Sequence, residues 1–333
     1  MDIPELTQEI TRINQERQAR LTAEGGRPNG AGVHRNEWAD DRGRYQGLRV
    51  TPASYIYPDF FSPTSQWSRM MDDVPVVDWV IINPASGPGE VPNTDYQAQS
   101  IRAHASGALV MGYVSTAYAT VDPESVKTQI KRHRDWYAVD GIFLDEAVSG
   151  WQADDAQTVY YEELYAWARA VHPGLTITTN PGVSSAPRII AAADIVVAYE
   201  NTAAVYLSTP AGDITPAHYG TEPRSKFWHL IHGVTDRAQA DAVLAKARTL
   251  HVGHLYLTDD VMPNPWDRMP AGWLWDLQVQ EAATLAPNKN IGTMPVPASA
   301  TAPGTPGDVA YSTSYVYVCV GVNSWRRAAL ATW

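Results

Sequence analysis

Between about residue 49 and residue 286, eight short apolar stretches alternate with helix-like segments, and this alternation limits the folds open to the chain more than any other feature. The expected strands are residues 53–57, 76–82, 108–115, 141–144, 175–179, 194–198, 226–231 and 254–258. The clearest helix is DPESVKTQIKRHRDWY, where Asp122 suits the cap, Pro123 the first position and Glu124 the positive end of the helix dipole. DDAQTVYYEELYAWARAVHPG and TDRAQADAVLAKARTLHVG repeat that form, with a capping side chain in front and a glycine behind. Eight strands and their helices in about 240 residues match an α/β chain closed as a (β/α)8 TIM barrel. The rival is a doubly wound open sheet, but no GxGxxG loop follows the first strand.

The barrel, residues 49–285, has other segments on both sides. Residues 1–48 form an N-terminal helical arm and joint, in which Ile3, Leu6, Ile10 and Ile13 make a narrow seam and GGRPNGAG breaks any helix. That seam suits self-association or docking on the chain's own surface. Residues 286–308 are a Pro, Ala and Thr-rich linker, and residues 309–333 alternate apolar and polar positions around a turn at Asn323 and Ser324, as a small β unit does.

Composition removes several functions. A formal charge of −11 is wrong for a nucleic-acid partner, which needs clustered Lys and Arg. Cys319 is the only cysteine, so no intrachain disulfide or cysteine-based metal site can form. No membrane span is expected, since no run of 18 apolar residues occurs, and MDIPELTQEITRINQER is too polar for a signal peptide. His229 and His232, like His251 and His254, are three apart, which on a strand sends them to opposite faces; neither a metal nor a cofactor is expected. Twelve tryptophans and seventeen tyrosines supply flat amphipathic surfaces suited to sugars or to protein interfaces.

Chemistry in such a barrel belongs where strands end. GIFLDEAVSG puts Asp145 and Glu146 at the end of the fourth strand, and DIVVAYEN puts Glu200 at the end of the sixth. Period-two alternation groups Val196, Ala198 and Glu200 on one face, which points into the mouth if Ile195, Val197 and Tyr199 meet the helices. Acids on strands two apart can face one site, as glycoside hydrolysis requires. The structural alternative is that these acids pair with cations or stabilise helix starts. Tyr55, Tyr57, Asn83, Tyr113, Asn180, Asp259 and Asp260 also lie at strand ends, and rings beside amides and acids suit a sugar site.

The ordered set YIYPDFF, VIINPASGPG, GYVSTAYAT, GIFLDEA, ITTNPG, VVAYEN and HLYLTDD with NPWDRMP resembles the spherulin-4-like family. The likeness covers residues 50 to about 285. It implies a barrel related to endo-α-1,4-galactosaminidases, with Asp145 as nucleophile, Glu200 as acid/base and Glu146 as supporting acid. The tail, PGTPGDVAYSTSYVYVCVGVNSWRRAALATW, is similar to the C-termini of minor tail proteins of phages infecting actinobacteria. That likeness implies a virion location at the tail tip or baseplate, synthesis in the host cytoplasm without a signal peptide, tail-protein partners, a homo-trimer by analogy with tail fibres, and a host envelope glycan as target. Three functions stay open on these grounds: an endo-glycosidase, a glycan-binding module that does not cut, and a structural decoration of the tail.

Overall fold

The computed structural model of the protein describes residues 48–59, 64–74, 76–152, 154–285 and 296–302, strand residues within 309–329, and a few helical positions between residues 4 and 15. The Ile3, Leu6, Ile10 and Ile13 seam, the GGRPNGAG joint and most of the 286–308 linker lie outside the described residues.

Eight parallel strands form one sheet: β1 Arg49–Val50, β2 Trp79–Ile82, β3 Leu109–Ser115, β4 Gly141–Asp145, β5 Thr176–Thr179, β6 Ile195–Thr202, β7 Phe227–His232 and β8 His254–Leu257. From β2 to β8 each strand pairs with its sequence neighbours, β1 pairs with β8, and a single parallel bridge from Val50 to Val77, two residues before β2, joins the two ends of the sheet. This is the (β/α)8 barrel that the alternation implies.

Helices fill the connections: α1 Gln66–Asp72, α2 Thr94–Ser106, α3 Pro123–Tyr137, α4 Asp155–Val171, α5 Pro187–Ala191, α6 Ala203–Ser208, α7 Ala211–Ile214, α8 Arg237–Thr249 and α9 Gly272–Leu285. Local chemistry explains where they begin. The Asp122 carboxylate accepts the Ser125 N–H ahead of α3, Asp154 and Gln157 form a reciprocal capping box at α4, and Asp236 accepts the Gln239 N–H at α8. No helix among the described residues is long and apolar enough to cross a membrane.

Two details differ from strict sequence patterning. The first strand lies at Arg49–Val50 and not at 53–57, where the chain runs irregularly. There a side chain replaces the ladder: the Ser54 hydroxyl accepts the Ile81 N–H at 2.8 Å and donates to the Ile81 carbonyl at 2.9 Å. The backbone N–H of Tyr55 is meanwhile given to the Trp266 carbonyl.

The second difference is a β-bulge in β6. Val197 pairs with Trp228 and Tyr199 with His229, leaving Ala198 as an extra residue. Val196 and Ala198 pack outward with Ile190, Ala193, Tyr219 and Phe227, whereas Val197 shares the central core with Phe143 and Trp228. Tyr199 also faces outward, against Tyr206 and His229. Val196, Ala198 and Glu200 therefore do not share a face; the bulge resets the alternation, and only that reset turns Glu200 into the mouth.

A separate antiparallel sheet, ordered β11, β10, β9, consists of β9 Val309–Tyr311, β10 Tyr315–Gly321 and β11 Ser324–Ala329. Trp325 is buried beside Ala310, with its indole N–H on the Ala302 carbonyl at 3.0 Å.

Candidate active site

Phe143 packs edge-on against Trp228 inside the barrel, and Asp145, two residues further along β4, points the same way into the mouth. Glu200 arrives from β6 through the bulge. Between them lies Asn180, directly after β5, whose backbone N–H continues the ladder to the Leu144 carbonyl at 2.8 Å. Its side-chain nitrogen donates to Asp145 Oδ1 at 2.8 Å and to Glu200 Oε2 at 2.7 Å. Because both oxygens are bound to one nitrogen, they are at most about 5.5 Å apart.

Each acid has further donors. The Tyr113 hydroxyl and the Glu146 backbone N–H bond Asp145, and the Trp266 indole N–H donates to Glu200 Oε1 at 3.2 Å. Burial is the strongest influence on both carboxyls and raises both above their ordinary range. Asn180 and Trp266 pull Glu200 back down while the Asp145 charge pushes it up. Tyr113, Glu146 and Asn180 give Asp145 three donors that favour its charged form. Tyr55 stands edge-on to Tyr113 at 5.3 Å, and burial, then the charges of Asp145 and Glu200, raise its phenol well above the usual value.

Glu146 has a different setting. It is exposed, its φ is 53°, and its Oε2 accepts from the Ser115 hydroxyl at 2.5 Å. Its carbonyl accepts the Tyr118 N–H at 2.7 Å, within a turn where Ala117, Tyr118 and Ala119 have φ of 43°, 58° and 67°. A left-handed backbone costs a residue other than glycine roughly 1–2 kcal/mol. Four such residues, joined by the bond between Tyr118 and Glu146, therefore concentrate strain beside Asp145, and strain of this kind gathers at functional sites.

The other strand-end residues have separate engagements. Tyr57 lies outside the cluster, with its hydroxyl on Asp95 at 2.7 Å. Asn83 accepts the Gly87 N–H and shapes the turn after β2. Asp259 and Asp260 both pair with Arg268, which fastens the loop carrying Trp266. Tyr55, Tyr113, Asn180, Asp145 and Glu200 come together; Tyr57, Asn83, Asp259 and Asp260 do not join them. Trp266 is the participant that strand-end reasoning misses. It lies within NPWDRMP, and a buried indole needs an acceptor, but nothing in its spacing indicates which acid supplies one.

His229 and His232 take opposite faces. His229 meets Tyr206 outside, while His232 lies edge-on to Trp266 at 5.9 Å. Among the described residues no group of three or more metal-ligating side chains converges.

Comparison with known proteins adds a family and a fold. The profile described as spherulation-specific family 4 (Spherulin4) matches residues 49–279. The solved structure of Aspergillus clavatus Sph3 in complex with GalNAc is 24% identical, with a TM-score of 0.58 over 70% of this chain and 98% of that one. A GH2 β-galacturonidase from Eisenbergiella tayi bound to galacturonate is 14% identical, covering 73% of this chain and 52% of that one at a TM-score of 0.48. The maltogenic α-amylase AmyB from Thermotoga neapolitana is 11% identical, covering 73% and 77% at 0.48. No curated protein matches. With the profile running from β1 into α9 and so across the whole barrel, this chain belongs to the spherulation-specific family 4.

Proposed function

We propose that the barrel is a retaining endo-glycosidase of galactosaminidase type that cuts a host surface polysaccharide. The observation that carries this reading is the single Asn180 amide nitrogen shared by Asp145 and Glu200. A separation of at most about 5.5 Å fits the retaining arrangement, near 5–5.5 Å, and is too short for the roughly 6.5–9.5 Å that admits a water between the acids. Family membership supports a glycan-directed site, and the Sph3 structure, solved with GalNAc, supports an amino sugar at its centre.

In this mechanism Glu200 enters protonated. Its proton moves to the glycosidic oxygen as the bond to the anomeric carbon breaks, and Asp145 bonds that carbon. Glu200, now ionised, takes a proton from water, and the water oxygen displaces Asp145 with a second inversion. Donors and charge divide the roles. Burial raises both acids; three donors favour the charged form of Asp145, and the Asp145 charge pushes Glu200 further toward its protonated form, which suits Glu200 to the acid role. Glu146, tied to Ser115, supports the turn beside the nucleophile.

The test is reducing-end release from α-1,4-linked galactosamine and N-acetylgalactosamine polymers, with the first product anomer followed by NMR. Retained configuration with wild type, and loss of about 10²–10⁴ in rate for Glu200→Gln, are expected. An inverted first product removes the double displacement. Sustained binding without product leaves a receptor-binding module instead. A setting on a phage tail is supported by the resemblance of residues 303–333 to minor tail proteins, and it requires the chain to be detected in purified virions.

A further inference from the structure

Two large rings project from the rim on opposite flanks of β4, the strand that ends in Asp145. On the β3 side, Tyr118 is 56% exposed although its backbone is fixed in the left-handed turn by Glu146 and by Gln157, whose amide donates to the Tyr118 carbonyl at 3.1 Å. On the β5 side, Trp151 is 51% exposed although its indole N–H is anchored on the Ser184 carbonyl at 2.7 Å and one edge rests on His218. The loop containing Ser184 is itself part of the site, since the Glu200 N–H donates to the Gly182 carbonyl at 2.8 Å. Both rings are thus held by loops that also contact the acids.

Exposed aromatic surface is costly to leave in water, and here strained or anchored backbone keeps it there. Such rings match the apolar face of a pyranose. The charge of the mouth restricts the ligand further: the carboxylates of Asp145 and Glu146 disfavour a polyanionic glycan and admit a neutral or cationic one. We infer that Tyr118 and Trp151 are stacking platforms for outlying sugar units, beyond the two joined by the cleaved linkage and on either side of them, so that the mouth holds a neutral or amino-sugar chain of several units across β4. The inference rests on the glycan-active reading of the site.

It is tested in the Glu200→Gln background, where binding is separated from turnover, by calorimetry with dimers and octamers of α-1,4-linked galactosamine and N-acetylgalactosamine. Tyr118→Ala and Trp151→Ala are each expected to weaken octamer binding about five- to tenfold and to leave dimer binding unchanged. Tyr118→Phe keeps its ring and its backbone anchors and retains octamer affinity, and unchanged dimer affinity in Trp151→Ala shows the loop intact, which separates loss of stacking from collapse of a loop. Unchanged octamer affinity in both alanine variants overturns the inference, as do equal losses for dimer and octamer or a parent that binds no octamer. Reducing-end assays on the same rings with Glu200 intact keep the two readings apart. Weakened octamer binding with no product from wild type leaves the platforms and removes hydrolysis. Product release with KM unaltered by either alanine removes the platforms and leaves hydrolysis.

Discussion

Asn180 spends one amide group on two acids, and its loss would be felt by both. Asn180→Ala is expected to lower kcat by about 10²–10³, the usual effect of removing one preorganised donor, with a smaller change in KM. Trp266 acts on Glu200 alone. Trp266→Phe removes a donor that favours the charged carboxyl, so the Glu200 pKa rises and the basic limb of the pH profile moves upward. A limb that stays in place excludes that hydrogen bond from control of the acid. The same burial has a thermodynamic side. Both carboxyls titrate above their ordinary range when folded, so their contribution to stability is fully present at acid pH and is lost as pH rises through the folded values. Glu200→Gln should therefore raise Tm at neutral pH, and the gain should shrink toward acid pH, as calorimetry at two pH values can check. Strand-end position groups Asp145 with Glu200, and the structure brings these two together on Asn180 while Glu146 lies exposed against Ser115. The same criterion places Tyr57, Asn83, Asp259 and Asp260 beside them because adjacency to a strand end does not reveal which partner claims a side chain. Arg268 claims two of these four.

Among the elements, helices were the most legible, since Asp122, Asp154 and Asp236 each cap the helix they precede. Strand boundaries were less so where a side chain replaces the backbone ladder, as Ser54 does after β1. The bulge in β6 was invisible, because period-two reasoning assumes that no residue is extra. Glu200 reaches the mouth by a different alternation from the one the residues suggest. The turn at Ala117, Tyr118 and Ala119 permits a direct test of strain. Ala119 has φ of 67°, where glycine carries no Cβ penalty, so Ala119→Gly should stabilise the fold by up to about 1 kcal/mol in urea denaturation. A destabilised variant would show that the Ala119 methyl packs usefully and that the turn is not under strain there.

At the scale of the whole molecule, the ring is unevenly closed. Seven strands are joined by ladders of two to six residue pairs, whereas β1 has two pairs to β8 and a single bridge toward β2. Leu48, just before β1, is buried against the cluster that includes Leu244 and Leu255 and is the first described residue of the barrel. A chain starting at Leu48 is expected to fold as a barrel with cooperative unfolding, and Leu48→Ala to cost roughly 2–4 kcal/mol by leaving a cavity. Amide exchange should be fastest at Arg49 and Val50 among the eight strands, with β3, β4 and β7 slowest. The position of this seam has a mechanical meaning. Residues 1–47 join the barrel at its least-paired strand, so a pull on that arm would peel β1 from β8 one bond at a time, without having to shear the longer ladders together. Five residues past β1 the same load would meet Tyr55, whose N–H is given to Trp266 and whose ring rests on Tyr113, the two residues that donate to Glu200 and to Asp145.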